Sequence, residues 1–585
     1  MLRPIKVAVV LVAAVAVALL IPAFGGHPTA APTGAHQYLF WGGNIHNTHF
    51  AEAETTISPA NASRLAVKWA FTTTGDVSAT PTIADGLLYV PDWGPTLTSS
   101  VALGGGSLFA LDAKSGAPVW TRAFSSYGTN PLDNTSRSSP AIAGDRIIVG
   151  NVVNQPLSLL NVTLGSGATV YALNRFTGDL IWKTTIDSHP LAHVTQSPVV
   201  YGGKVYVGVA SLEEGAARLL YPCCTFRGSM AALDLATGAL EWQTFMEPDN
   251  GGKPGGYAGA AVWGSSPSID EGRGVVYVST GNAYTFPKEL KDCLSLHHGD
   301  PVGQDDCLTR LDDPHDYSES ILALDLGTGA VRWARKLHNY GAWTFACSPN
   351  LIPFLPANPA NCADLDGLDY DFGQAPMLFA AQVNGASRDL VGAGQKTGVF
   401  WALDPDASGA TVWATAAGPA GVEGGMEFGS ATDGQRVYVE ITNFQHTAFP
   451  LSAGAHKGQI VNGGLWAALD AGTGQLLWQT PDPSSFRPLF GLYANPVWGV
   501  AKGPGFFAAA MGPLTVANGV LFGGSMDPEG HMYAFDASSG AILWSFACGG
   551  SVMGGPAVVD GAVYWGCGSR MGFDANALYA FALPN

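Results

Sequence analysis

The chain has 585 residues, of which 47% are hydrophobic and 13% charged, with 75 Gly and 38 Pro. This is enough apolar material for a large core, and the Gly and Pro content suits many short strands joined by tight turns. A net charge of −18 argues against nucleic acid or an anionic membrane surface as partner.

The N-terminus reads MLRPIKVAVVLVAAVAVALLIPAFGG, with Arg3 and Lys6 ahead of an apolar run from Val7 to Phe24. That is an export signal or a retained N-terminal anchor, so residues 1–36 are set apart from the fold and the rest is expected to be periplasmic or extracellular. Any membrane contact runs through that segment, because no other stretch is long and apolar enough to span.

One phrase then recurs. GSLFALDAKSGAPVW ends at Trp120 and ATVYALNRFTGDLIW at Trp182. Related copies end at Trp242, Trp333, Trp413, Trp478 and Trp544. Each holds an alternating strand, a turn built on Asp and Gly (Asn174 in the second copy), and a second strand ending in Trp. Further strand pairs between copies, such as SPVVYGGKVYVGVA, bring each repeat to about four strands, one propeller blade. An eighth copy is split between NALYAFALPN at the C-terminus and ASRLAVKWAF, with Trp69, near the N-terminus. The expected fold is all-β, an eight-bladed β-propeller over residues 37–585 whose ring is closed by joining the two chain ends.

Eight cysteines in an exported chain imply oxidation. Proximity pairs Cys223 with Cys224, Cys293 with Cys307, Cys347 with Cys362 and Cys548 with Cys567. Two insertions break the repeat, at 284–318 and 338–375. The first holds His297, His298, Asp300, Asp305 and Asp306, which read either as a metal-binding group or as a solvated, disulfide-tied loop. No C-x-x-C-H occurs, so the chain carries no c-type haem attachment motif.

The Trp-ending repeat and Cys223-Cys224, with WGGNIHNTHF (41–50), CCTFRGSMAALD (223–234), VVYVSTGNAY (275–284), DYDFGQAPML (369–378), VGAGQKTGVFWALD (391–404) and VANGVLFGGS (516–525), resemble the pyrroloquinoline-quinone (PQQ) alcohol dehydrogenases, in particular the polyvinyl-alcohol-dehydrogenase-like branch. The resemblance implies a flat, anionic ortho-quinone near the propeller axis and a calcium ion that polarises its reactive carbonyl. It implies Trp263 as the floor of the cofactor site and a Cys223–Cys224 disulfide as its roof. Lys396, Arg137 and Thr195 match cofactor-binding positions, Glu213 and Asn282 match calcium ligands with Glu214 as an adjacent substitute, and Asp325 matches the catalytic base. Asp325 also shares a turn position with Asp112, Asp234, Asp404, Asp470 and Asp536, which makes a purely structural turn aspartate its competing reading.

The sequence departs from the family pattern where Glu427-Phe428 replaces an Asn-Trp pair, and in lacking an early cofactor-contacting Glu. The implied function is a PQQ- and calcium-dependent alcohol dehydrogenase that acts on an alcohol, polymeric or secondary, and passes electrons to a separate cytochrome c or a diffusible acceptor. The alternative is a non-catalytic propeller, a scaffold or a polymer- or sugar-binding module.

Overall fold

In each repeat the alternating segment before the turn becomes the third strand of a sheet, and the segment ending in Trp becomes the outermost. The computed structural model describes residues 37–584 apart from 99–100, 103–104, 129–133, 153–164, 219–221, 338–340, 348–357, 363–368, 422–423, 485–492, 496–498, 502–508 and 570–571. Among the described residues eight antiparallel blade sheets result, seven of four strands and one with an added short strand, beside four two-stranded ribbons. In the blade that carries Trp120 the strands are Thr82–Ala84, Leu87–Pro91, Ser107–Asp112 and Pro118–Ala123. The first is wholly buried, while the outermost alternates between exposed and buried positions, as a strand with one face in solvent must. Innermost strands of neighbouring blades pack around the axis, with Thr82–Ala84 against both Ala141–Ala143 and Ala557–Val559.

The ring closes as the split repeat requires. Ala66–Thr72 pairs antiparallel with Ala577–Ala582, from Ala66 opposite Ala582 to Thr72 opposite Ala577. A blade shared by the two ends leaves no open seam in the ring and protects sheet edges that would otherwise invite pairing.

The turn phrase explains how blades adhere. Asp112 Oδ1 accepts from the Ser115 amide and hydroxyl at 2.8 and 2.6 Å, and Asp470 does the same with Thr473 at 2.9 and 2.7 Å. This tight turn presents its glycine to the Trp of the preceding blade. Gly474 has a φ of +71°, and a Cβ there would lie 2.5 Å from Trp413 Cε3. In seven of the eight repeats the indole nitrogen of this Trp donates to a backbone carbonyl of the next blade, as in Trp69 to Ala113, Trp413 to Ala471 and Trp478 to Ala537, each at 3.1 Å. These Trp residues therefore join blades, packing a large apolar ring at the blade boundary while satisfying its one polar atom.

All four expected disulfides are present, and the Cys223–Cys224 peptide is cis. The 284–318 insertion is largely helical, with Lys288–Leu296 and Pro301–Leu311 bridged by Cys293–Cys307. His297 lies close to both sulfurs, but these are bonded to each other and are not thiolate ligands. The 338–375 insertion lies partly outside the described residues, as does all of 1–36. Among the described residues no helix is long and apolar enough to cross a membrane.

The turn glycine gives a direct test. Gly86 has a similar φ of +76°, but a Cβ there meets nothing within 4 Å. Both Gly474→Ala and Gly86→Ala carry the conformational cost, about 1–3 kcal/mol. Only Gly474→Ala also pushes against an indole, so its thermal midpoint falls several degrees further than that of Gly86→Ala in parallel melts.

Candidate active site

Most blades enter their innermost strand through a proline, which holds the preceding residue extended. Arg137 and Thr195 stand three residues before Pro140 and Pro198, at equivalent places in successive blades. These entry loops, with the loops that leave the second strands, converge on one cavity of about 1070 Å³, counting the part continuous with solvent. Arg137, Thr195, Trp263, Asn282 and Lys396 all line it.

Trp263 is fixed from two sides. Its backbone carbonyl accepts from Thr195 Oγ1 at 2.8 Å, and its Nε1 donates to Asp371 Oδ2 at 2.8 Å. Two cations flank the ring: the Arg137 guanidinium carbon is 6.0 Å from the ring centre and Lys396 Nζ is 5.2 Å from it. Phe428 meets the indole edge-on at 5.9 Å and also lies 5.4 Å from Arg137. Gly281 keeps the space beside Trp263 open, because a Cβ there would lie 3.0 Å from Asp371 Oδ2 and 3.3 Å from Trp263 Nε1.

Lys396 is 5% exposed and stands among three carboxylates buried as deeply. Its Nζ is 2.9 Å from Asp369 Oδ2, 2.9 Å from Asp371 Oδ1 and 3.8 Å from Glu427 Oε1. Asp369 and Asp371 are two apart in an extended segment, which turns both side chains to the same face. Among the described residues that line the cavity, Lys396 and Arg137 face four acidic side chains, Glu214, Asp369, Asp371 and Glu427, so the lining is acidic on balance and suits a bound cation. The negative charge extends to Tyr284, whose phenol is held above its ordinary range by burial and then by Glu214, Glu213, Asp371 and Asp369.

The predicted residues separate into two groups. Asn282 gives its amide nitrogen to the Ala283 and Trp343 carbonyls at 2.8 Å each, leaving Oδ1 buried without a partner among the described residues. Glu214 lines the cavity, whereas Glu213 is not among the lining residues. The Glu213 side chain is fully buried, and its oxygens accept from the Thr225 and Phe226 amides at 2.8 Å, tying down the loop just after the vicinal cysteines. Cys223 and Cys224 are buried in a hydrophobic cluster and are not among the residues that line the cavity. Asp325 lies in the outer turn of its blade, where it accepts from the Thr328 amide and hydroxyl and from Arg332. Arg332 first, with Thr328, holds its carboxyl down to about 2, as suits a turn cap.

Asp369, Asp371, Glu427, Phe428, Tyr284 and His193 also line the cavity, and none of them had been given a role from the sequence. The signal for the two aspartates was the i, i+2 spacing of Asp-Tyr-Asp, outside the turn phrase.

Beneath the loop that carries Glu427 and Phe428 lies Glu440, fully buried, whose Oε1 accepts from the Glu427, Phe428 and Gly429 amides at 3.1–3.2 Å. Burial pushes its carboxyl up to about 8, against the pull of those amides.

The arrangement fits a flat anionic molecule over Trp263 within reach of Arg137 and Lys396. It also fits an oxygen-liganded cation at Asn282 and the neighbouring carboxylates, because a hard cation takes carboxylate and carbonyl oxygens. The fold and this cavity together are those of a quinoprotein-type propeller enzyme. A family model described as outer membrane protein assembly factor BamB matches residues 48–335 and 461–577, the repeat region. The polyvinylalcohol dehydrogenase of Sphingopyxis sp. (strain 113P3) is 30% identical over 96% of this chain and 79% of its own length. That of a Pseudomonas sp is 28% identical over 94% and 77%. A europium-containing methanol dehydrogenase shares the fold with a TM-score of 0.62 at 17% identity, covering 94% of this chain and 98% of its own. The chain belongs to the quinoprotein alcohol dehydrogenase family, in its polyvinyl-alcohol-dehydrogenase-like branch.

Glu440 supplies a pH prediction. A carboxyl whose pKa is raised on folding takes up protons as the chain folds, so its contribution to stability is complete below about 4.5 and is lost as pH rises through about 8. Denaturant melts of the wild type between pH 5 and 8.5 should show stability falling with pH. Glu440→Gln should remove part of that slope, and an unchanged slope would contradict the assignment.

Proposed function

We propose that this chain is an exported, PQQ- and calcium-dependent alcohol dehydrogenase that passes electrons to a separate acceptor. The observation that carries the reading is the fixed Trp263 ring, with the Arg137 and Lys396 cations 6.0 and 5.2 Å from its centre and the Asp369–Asp371 pair lining the same cavity. PQQ supplies the hydride acceptor when bound, and the cation polarises its carbonyl. Asn282 Oδ1 and the Glu214 carboxylate would hold the cation, and Arg137, Thr195 and Trp263 would hold the cofactor.

Among the chain's own groups, Asp369 takes the alcohol's hydroxyl proton. Lys396 holds that carboxylate in place at 2.9 Å, and Asp371 is engaged in orienting Trp263. Asp369 is preferred to Asp325 because it lines the cavity and Asp325 caps a surface turn. Export is supported by the charged and then apolar start of the chain. A separate acceptor, cytochrome c or a diffusible molecule, is supported by the lack of a haem-attachment motif. The similarity to polyvinylalcohol dehydrogenases supports a secondary or polymeric alcohol as substrate.

The test is reconstitution of the purified protein with PQQ and calcium, followed by dye-linked assay with primary alcohols, secondary alcohols and short vinyl alcohol oligomers. Turnover on secondary alcohols is expected. Retention of no quinone and reduction of no dye with any alcohol would overturn the reading. In the active preparation Asp369→Asn lowers kcat by about 10²–10⁴-fold, whereas Asp325→Asn leaves kcat within about twofold and shows its effect, if any, in the melt. The reverse pattern would return the base to Asp325.

A further inference from the structure

His193 ends the short strand Ala192–His193, paired with Ala210, and stands two residues before Thr195. Both residues line the cavity. His193 is 4% exposed, and its Nδ1 is buried with no partner among the described residues. Burial first, and then the neighbouring Arg137 charge, pushes the ring down to about 3, so it is neutral at physiological pH. A neutral imidazole carries one donor and one acceptor, and a buried N–H is the costlier of the two to orphan. The proton therefore belongs on Nε2, which leaves the ring one N–H to donate.

The carboxylates Asp369, Asp371 and Glu427 gather on Lys396. Arg137 lines the same cavity and is the charge that acts on His193. An anionic group entering beside His193 therefore meets a cation as well as the imidazole. We infer that His193 is a binding residue for the anionic edge of the flat cofactor, donating an N–H to a carboxylate alongside Arg137 and Thr195. This rests on the quinone reading above.

The test measures binding without turnover. Dissociation constants for PQQ and for its trimethyl ester are obtained from quenching of tryptophan fluorescence with wild type, His193→Ala and His193→Gln. Thermal midpoints confirm that each variant is folded. His193→Ala should weaken PQQ binding about tenfold, as expected for a hydrogen bond to a charged group, and leave the ester's affinity unchanged. His193→Gln, which keeps an N–H donor, should recover most of the loss. Equal PQQ affinity in wild type and His193→Ala, or equal losses for acid and ester, would overturn the assignment. Failure of the wild type to bind PQQ would instead remove the cofactor reading, and this inference with it.

Discussion

The Lys396 ammonium, buried against the carboxylates of Asp369, Asp371 and Glu427, sets the terms for the centre of this molecule. Burying several like charges around one opposite charge is costly, and removing one partner of a buried ionic group leaves others uncompensated. The surrounding structure has to hold each group in place. Asp371 does so by binding Lys396 through one oxygen and the Trp263 indole through the other. Glu427 is held through its backbone amide by Glu440. The electrostatic cluster and the aromatic platform are therefore one unit, and the same excess of negative charge makes the cavity receptive to a cation.

The propeller makes such a cluster affordable. Its outer turns and Trp residues join the blades through repeated contacts that owe nothing to the site, so the axis is free to carry unfavourable charge. The entry loops before the innermost strands are equivalent in each blade, so substitutions at matching positions bring Arg137 and Thr195 to one place from neighbouring repeats. Function here sits on loops positioned by a rigid scaffold.

Much of this was legible in the sequence because the signals were local. The Trp-ending phrase fixed blade number and ring closure, and the short separations within each cysteine pair matched the disulfides formed. The site was read less completely, for physical reasons. Asp325 occupies the turn position of the repeat, and there the demand for a turn cap determines the residue. Glu213 and Glu214 are adjacent, and a short helix at 213–216 decides which one faces the cavity, something residue identity alone does not reveal. Asp369 and Asp371 acquire their meaning only when Lys396, from the following strand pair, is placed between them. The helical form of the 284–318 insertion was hidden by its polar composition, its buried apolar residues Phe286, Leu290, Leu294, Cys307 and Leu308 being widely spaced in the sequence.

The central claim is that the cavity over Trp263 is a cofactor site with a cation at its carboxylate end. The most direct measurement is a crystal structure of the protein reconstituted with PQQ and calcium. The account predicts a planar ring system lying on Trp263 and a cation bound by Asn282 Oδ1 and the Glu214 carboxylate, with Glu213 still tied to the 225–226 turn. Quinone density away from Trp263, or a cation held by Glu213 in place of Glu214, would contradict it.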